Sequence, residues 1–355
     1  MTKDTSVLVL ANHSDAGRFE RHYGPLADVT HGTRLLCLNA DARVENAETT
    51  VVPTFGHHYL GLFLLSAWAL YEGYRGEYDA VVSVSLFPYG CLALALKALY
   101  GYPAHLGIIG IDLDHHADAW YGALPRRLFH LFDTLSVPGP THVEKLHGLG
   151  HAPERVCVLT NAVDVETYVP AADEERVYDY VWVGRFSPEK DPLLFVEALA
   201  VLDRAGEGFR AAMLGSGRLE GELRDRIEEY GLAGSVDLPG WVDSPIEYYH
   251  RSRVFVSTSR RDALPLTLIE AMSSGLACVA PPVGSIPDVV EDGHNAVLLA
   301  ERDPETVAET LRGLRADPGR TDRLGERATA VRSEFSYASA REDWRRIVGL
   351  LVERY

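Results

Sequence analysis

Lysine is nearly missing from this chain. Only Lys3, Lys97, Lys145 and Lys190 stand among 34 basic residues, against 51 acids, and the formal charge of the 355 residues is −17. With no basic stripe to meet phosphates, general nucleic-acid binding is excluded. So large an acid excess with so little lysine is a halophilic-like composition, and predicts a high-salt cytoplasm and folding that does not weaken in molar salt. Cysteine is equally sparse. Cys37, Cys91, Cys157 and Cys278 lie apart in apolar surroundings, none in a CxxC or Cys/His spacing, which excludes a disulfide scaffold or zinc cluster and leaves reduced core thiols. No hydrophobic run is long enough to span a bilayer. The most apolar, YLGLFLLSAWALY at 59–71, makes a helix of about 20 Å against a hydrocarbon core of about 30 Å. A buried crossover helix is expected there, with an interfacial anchor as the alternative. The opening MTKDTSVLVLA runs directly into a strand without the charged-then-apolar order of a signal peptide, so a cytoplasmic protein is expected.

What is present is an α/β alternation long enough for two domains. Residues 6–11 form a continuous apolar strand of the kind buried in a parallel sheet. Strand 79–85, helix 90–100 and strand 104–109 make a βαβ unit with a right-handed crossover. Further strands are expected at 156–159, 178–183, 211–214, 236–238 and 254–258, and helices at 219–230, 304–314 and 321–335. Residues 337–352 place Trp344, Ile347, Val348 and Leu351 at helical spacing.

Two strand-to-helix loops carry chemistry. GRFSPEKD at 184–191 follows a strand: Gly184 allows close backbone approach, Arg185 offers a planar fork of donors, and Lys190 a compact charge, parts suited to a pyrophosphate. After strand 254–258, Pro265 opens a helix that stops at Gly275, so the N–H groups of Leu266 and Thr267 face outward and attract phosphate. Asp262 before that helix and Glu270 within it flank the same spot. A third turn, GSG at 215–217, ends strand 211–214, and the turn 239–241 brings Trp241 and Val242.

Acid, seven residues, acid, followed by EAMSSGLACVAPPVGSIPDVVEDG, resembles the E-x7-E signature of retaining glycosyltransferases of family 4. The loop 184–191 is similar to that family's GR…EKG motif, and the stretch 136–170, SVPGPTHVEKLHGLGHAPERVCVLTNAVDVETYVP, to its interdomain crossing. The resemblance implies the GT-B fold: two Rossmann-like domains facing across a cleft, an acceptor-side domain at 1–165, a nucleotide-sugar domain at 166–335, and a last helix at 336–355 returning to the first domain. It implies transfer of a sugar from a UDP-, GDP- or ADP-sugar to a hydroxyl of a glycan or lipid-linked acceptor, with retention. Arg185, Lys190 and the N–H groups of Leu266 and Thr267 would stabilise the leaving diphosphate, so that neither metal nor cofactor is required. Glu270 would bind the ribose, Asp262 the hydroxyls of the transferred sugar, and Gly184, Gly215, Trp241 and Val242 would line the donor. The leaving phosphate would itself accept the acceptor's proton.

Several positions depart from the pattern. Asp262 replaces the usual glutamate and reaches one methylene less far. The family's catalytic-site histidine falls on Ile109, which can neither hydrogen-bond nor move a proton. Asp112, His115 or His116 would substitute from the same loop; the alternative is a donor lacking the usual hydroxyl. Gly17 and Arg18 lie in an expected acceptor-side loop, 12–21. Asp112-x-Asp114 with His115 and His116 also resembles a metal-holding pattern, though no functional metal is expected. Residues 120–132, WYGALPRRLFHLF, read either as a surface helix or as one lying on an anionic membrane face, a second route to peripheral membrane contact. Because of Ile109, two other functions stay open: a nucleotide-sugar-binding subunit without catalysis, and a sugar-nucleotide epimerase on the same fold.

Overall fold

The computed structural model describes residues 5–11, 17–108, 112–113, 121–171 and 176–353. The chain divides into two compact units, Met1–Ala162 with Ser336–Tyr355, and Val163–Phe335. Each is a parallel sheet with helices on both faces.

The sheet of the first unit contains β1 (Ser6–Leu10), β2 (Gly32–Cys37), β3 (Ala47–Val51), β4 (Ala80–Val84), β5 (Ala104–Gly107), β6 (Thr134–Val137) and β7 (Val156–Val158), in the order β3-β2-β1-β4-β5-β6-β7, with every pair parallel. Strands buried on both faces read as unbroken apolar runs, which is why β1 and β4 were legible. The strands β2 and β3 were not foreseen. Arg34 of β2 and the polar AETTV of β3 look like surface residues. Arg34 is in fact held by Glu72, whose buried carboxylate also accepts from the Trp68 indole at 3.1 Å and the Tyr78 hydroxyl at 2.8 Å.

The helix His58–Arg75 corrects an expectation. It is not buried all round. Gly61, Leu65, Ala69, Glu72 and Gly73 form its buried stripe, while Tyr59, Phe63, Trp68, Tyr71 and Tyr74 are exposed. A sheet can cover only one side of a helix, and the small residues on this stripe let the backbone sit close. A Cβ on Gly73 would lie 2.8 Å from Leu96 and Tyr100 of the neighbouring helix Cys91–Tyr100.

The other face of this sheet is covered by the helices Gly17–Ala27 and Tyr337–Val352, so the last helix returns to the first unit. Trp344, Ile347, Val348 and Leu351 pack with Phe19 and Tyr23, and the Trp344 indole donates to His22 O at 3.3 Å. Asp343 ties the same helix to the backbone N–H of Thr160 at 2.8 Å. Removing an aromatic anchor like Trp344 typically costs about 3–5 kcal/mol.

The second unit holds β8 (Tyr178–Val183), β9 (Ala211–Leu214), β10 (Val236–Gly240), β11 (Ser252–Val256), β12 (Ala277–Ala280) and β13 (Val297–Leu298), in the parallel order β10-β9-β8-β11-β12-β13. The single helix expected at 321–335 is two, Pro318–Ala328 and Val331–Glu334. Its start was missed because Pro318 at the first helical position, capped by Asp317, begins the helix three residues earlier.

Candidate functional site

In the second sheet the chain runs from β8 outward to β9 and β10, then returns to lay β11 on the other side of β8. The strand order therefore reverses between β8 and β11, and ligands of open α/β sheets bind beyond the carboxyl ends of strands at such a point. The loops leaving β8 and β11 are the two that the sequence singled out. They are stitched together: Arg260 N–H donates to Glu189 O at 2.8 Å, and the Trp182 indole donates to the Thr258 hydroxyl at 2.9 Å.

Within these loops the Lys190 ammonium donates to Oδ2 of Asp262. Arg185 is two-thirds exposed and meets Glu189 at 3.3 Å, leaving its fork turned to solvent. The helix Leu266–Ser273 begins after Pro265, with no side chain capping it, so the N–H groups of Leu266 and Thr267 have no intrahelical acceptor. One turn in, Glu270 is buried, and the Tyr249 hydroxyl lies 3.4 Å from its Oε2 and 3.2 Å from Thr267 O. Burial, with the Glu270 charge beside it, holds that phenol well above its ordinary pKa, so Tyr249 stays a protonated donor.

Glycines supply the close approach. Gly215 has φ +142°, donates its N–H to Gly240 O at 2.8 Å, and presses on Gly184 O; any Cβ there would overlap that carbonyl. Gly284, at φ +56°, does the same beneath Asp262 and Ala263, where Ser285 N–H donates to Ala263 O at 2.6 Å. Gly184, Arg185, Lys190, Gly215, Val242, Asp262, Leu266, Thr267 and Glu270 thus gather at one end of one sheet. Trp241 follows β10 at the same end and is exposed.

Sequence reasoning missed the residue that locks these loops. Asp191 is buried, adopts φ +51°, and its carboxylate holds Arg260 at 2.9 Å and Arg302 at 2.6 Å. Its carbonyl accepts from the Thr258 hydroxyl at 2.7 Å. A non-glycine residue at the end of a phosphate-loop motif was the available signal, since aspartate tolerates the left-handed region. Tyr249 gave no local signal.

The remaining site candidates belong to the first unit. Gly17 and Arg18 open the helix Gly17–Ala27, so the expected loop 12–21 ends by residue 16; Phe19, Tyr23 and Leu26 set a buried helical face that forces the earlier start. Asp112 is fully buried, and its Oδ1 accepts from Leu86 N–H at 3.1 Å and the Ser85 hydroxyl at 3.2 Å. It braces the turn after β4, where Ser85 has φ +69°. That is a structural position and not the open catalytic one expected. Ile109, Asp114, His115 and His116 lie outside the described residues. Among the described residues no group of three or more His, Cys, Asp or Glu could hold a metal ion.

Residues 170–331 match the family model described as "Glycosyl transferases group 1". The D-inositol 3-phosphate glycosyltransferase of Thermomonospora curvata is 30% identical over 232 residues, 58% of this chain and 52% of the relative. A Campylobacter jejuni α-1,4-N-acetyl-D-galactosaminyltransferase, named for an undecaprenol-diphosphate-linked substrate, is 24% identical over 170 residues, 47% of each. The chain therefore spans about half the length of these curated relatives. Among solved structures, Anabaena Alr3699/HepE in complex with UDP-glucose superposes with a TM-score of 0.79 at 17% identity, covering 96% of this chain and 98% of that one. Residues 170–331 of this chain are therefore similar to the group 1 glycosyl transferases, and its two parallel sheets and returning last helix share the GT-B fold of the Anabaena neighbour.

Proposed function

We propose that the chain is a retaining, metal-independent glycosyltransferase that moves a sugar from a nucleotide diphosphate sugar to a hydroxyl of a glycan or lipid-linked acceptor. The observation that carries this reading is the meeting of Arg185, Lys190 and the uncapped start of Leu266–Ser273 at the strand-order reversal between β8 and β11. As the anomeric bond breaks, the leaving diphosphate gains negative charge. Two cations and two backbone N–H groups are poised to stabilise it without a metal, and losing one such group typically costs about 10²–10³ in rate. Glu270, buried with a donating phenol beside it, suits a ribose, and Asp262 suits the transferred sugar's hydroxyls. Trp241 and Val242, beyond β10, would take the base. The UDP-glucose of the Anabaena neighbour makes a UDP-sugar the first donor to try, before GDP- and ADP-sugars.

The test is thermal stability at high salt with each nucleotide series, followed by donor-dependent nucleotide release with candidate acceptors and NMR of the product's anomeric configuration. A ligand at a hundred times its Kd adds about 2.7 kcal/mol of stability. One series should stabilise the native protein and not Lys190→Ala, and the product should keep the donor's configuration. No response to any series would overturn the reading. Binding without turnover would instead mark a nucleotide-sugar-binding subunit, and donor conversion without acceptor an epimerase.

A further inference from the structure

We infer that the first unit carries a docking surface for an anionic lipid bilayer, formed by the outer faces of the helices His58–Arg75, Cys91–Tyr100 and Ala123–Phe129. Leu65 and Ala69 of the first, Leu96 of the second and Phe129 of the third enter one hydrophobic core on one face of the sheet. Their opposite sides therefore all face outward on that layer. What they present is apolar and aromatic: Tyr59 is 85% exposed, Phe63 69% and Tyr74 77%, with Tyr71, Leu99 and Leu124 also open. Single exposed apolar side chains are ordinary on a protein surface, but a contiguous array on adjoining helices marks an interaction site.

The charge on this layer identifies the occupant. Asp and Glu make up 51 of 355 residues, yet residues 55–75, 91–100 and 121–131 contain a single acid, Glu72, and it is buried beside Arg34. The same segments carry Arg75, Lys97, Arg126 and Arg127. Arg75 meets Glu77 and Lys97 meets Asp133, and Arg126 and Arg127 are exposed near Leu124. In so acidic a chain, three helices without an exposed acid of their own, with arginines, tyrosines and a phenylalanine on their outer faces, suit anionic headgroups: the rings sit at the headgroup level and the guanidinium groups meet lipid phosphates. A twofold contact between two copies through this layer would instead bring the arginines of both into one interface. No helix among the described residues is long and apolar enough to cross a membrane, so the contact is peripheral.

The experiment is flotation of the full chain with phosphatidylcholine vesicles, with and without phosphatidylglycerol, alongside light scattering to give its mass in solution. Two variants accompany the native protein, Tyr59→Ser/Phe63→Ser/Tyr71→Ser and Arg126→Glu/Arg127→Glu, both confined to exposed side chains. The native protein should float with the anionic vesicles. Removing the anionic lipid, the three rings or the two charges should each lower partitioning by at least about tenfold. Flotation that is absent, indifferent to lipid charge or unchanged in both variants overturns the proposal. So does a native dimer that the ring variant converts to monomer without any vesicle binding. Vesicle binding needs no donor, so its failure leaves the transferase reading untouched, and the failure of nucleotide binding leaves this surface untouched.

Discussion

Lys190 and Asp262, 72 residues apart in the chain, form an ion pair at the carboxyl ends of β8 and β11. The cation suited to the donor diphosphate and the carboxylate suited to the donor sugar are each other's partners. A bound diphosphate must therefore compete with Asp262 for Lys190. Asp262→Asn should bind a nucleoside diphosphate at least as tightly as the native protein while nucleotide release from the sugar donor falls, and Lys190→Ala should lose about 10²–10³ in turnover. Calorimetry with the diphosphate and a release assay separate the two effects. Weaker diphosphate binding by Asp262→Asn would contradict the competition.

Gly215→Ala and Gly284→Ala should each cost more than Gly231→Ala. Gly231 also has a positive φ, +72°, but a Cβ there would meet nothing within 4 Å, so its cost is the left-handed conformation alone, about 1–2 kcal/mol. At Gly215 and Gly284 the added carbon also displaces the backbone under Arg185 or Asp262, and donor affinity should fall with stability. Denaturant unfolding of the three variants and donor titration provide the comparison. Equal losses would show that the loops have room.

Asp191→Gly keeps a left-handed backbone and removes only the carboxylate that holds Arg260 and Arg302. It should destabilise the second unit by about 1–3 kcal/mol, because the largely buried Arg302 loses its carboxylate partner, whereas Arg260 is mostly exposed and adds little. Asp191→Ala should cost more, by the strain at φ +51°. If Asp191→Gly proves neutral in denaturant unfolding, backbone geometry and not the ion pairs locks these loops.

Stability should fall as pH drops below neutrality. His105 is fully buried between the Thr134 and Ser136 hydroxyls, at 2.8 and 3.0 Å, and burial lowers its pKa from the ordinary 6.5 to about 3. His151 is lowered to about 4, first by burial and then by His130, whose ring stacks on it at 3.9 Å. Both are neutral when folded and take up a proton on unfolding once pH is below 6.5. Their stabilisation is fully present above 6.5 and is lost progressively down to about 4 for His151 and about 3 for His105, at up to about 1.4 kcal/mol per pH unit for each. Thermal melts from pH 7.5 downward should show that slope, and His151→Phe, which retains a flat ring beside His130, should reduce it. An unchanged slope in that variant would remove His151 from the account.

Much of the candidate site was legible because its parts are local. Gly184, Arg185 and Lys190 fall within one loop, and Asp262, Leu266 and Glu270 within one strand-loop-helix passage, so residue type and spacing conveyed an anion-seeking chemistry, while the roles of Asp262 and Glu270 came from the family resemblance. Tyr249, Asp191 and Arg302 escaped because their roles exist only through partners 18 to 111 residues away. Asp112 misled for the same reason: a carboxylate in a polar loop reads as available until Leu86 and Ser85 are seen to claim it.

By itself the sequence determined much of the two parallel sheets, through apolar strands at β1 and β4 and runs of β-formers at β8 and β11, and the glycine-bearing or proline-bearing loops that leave the last two. Tertiary structure alone decided which residues are paired, where Arg34 could be held, and which side of His58–Arg75 is covered. Strand periodicity and loop composition are properties of neighbouring residues, whereas burial and charge pairing depend on which distant segment the sheet order brings alongside.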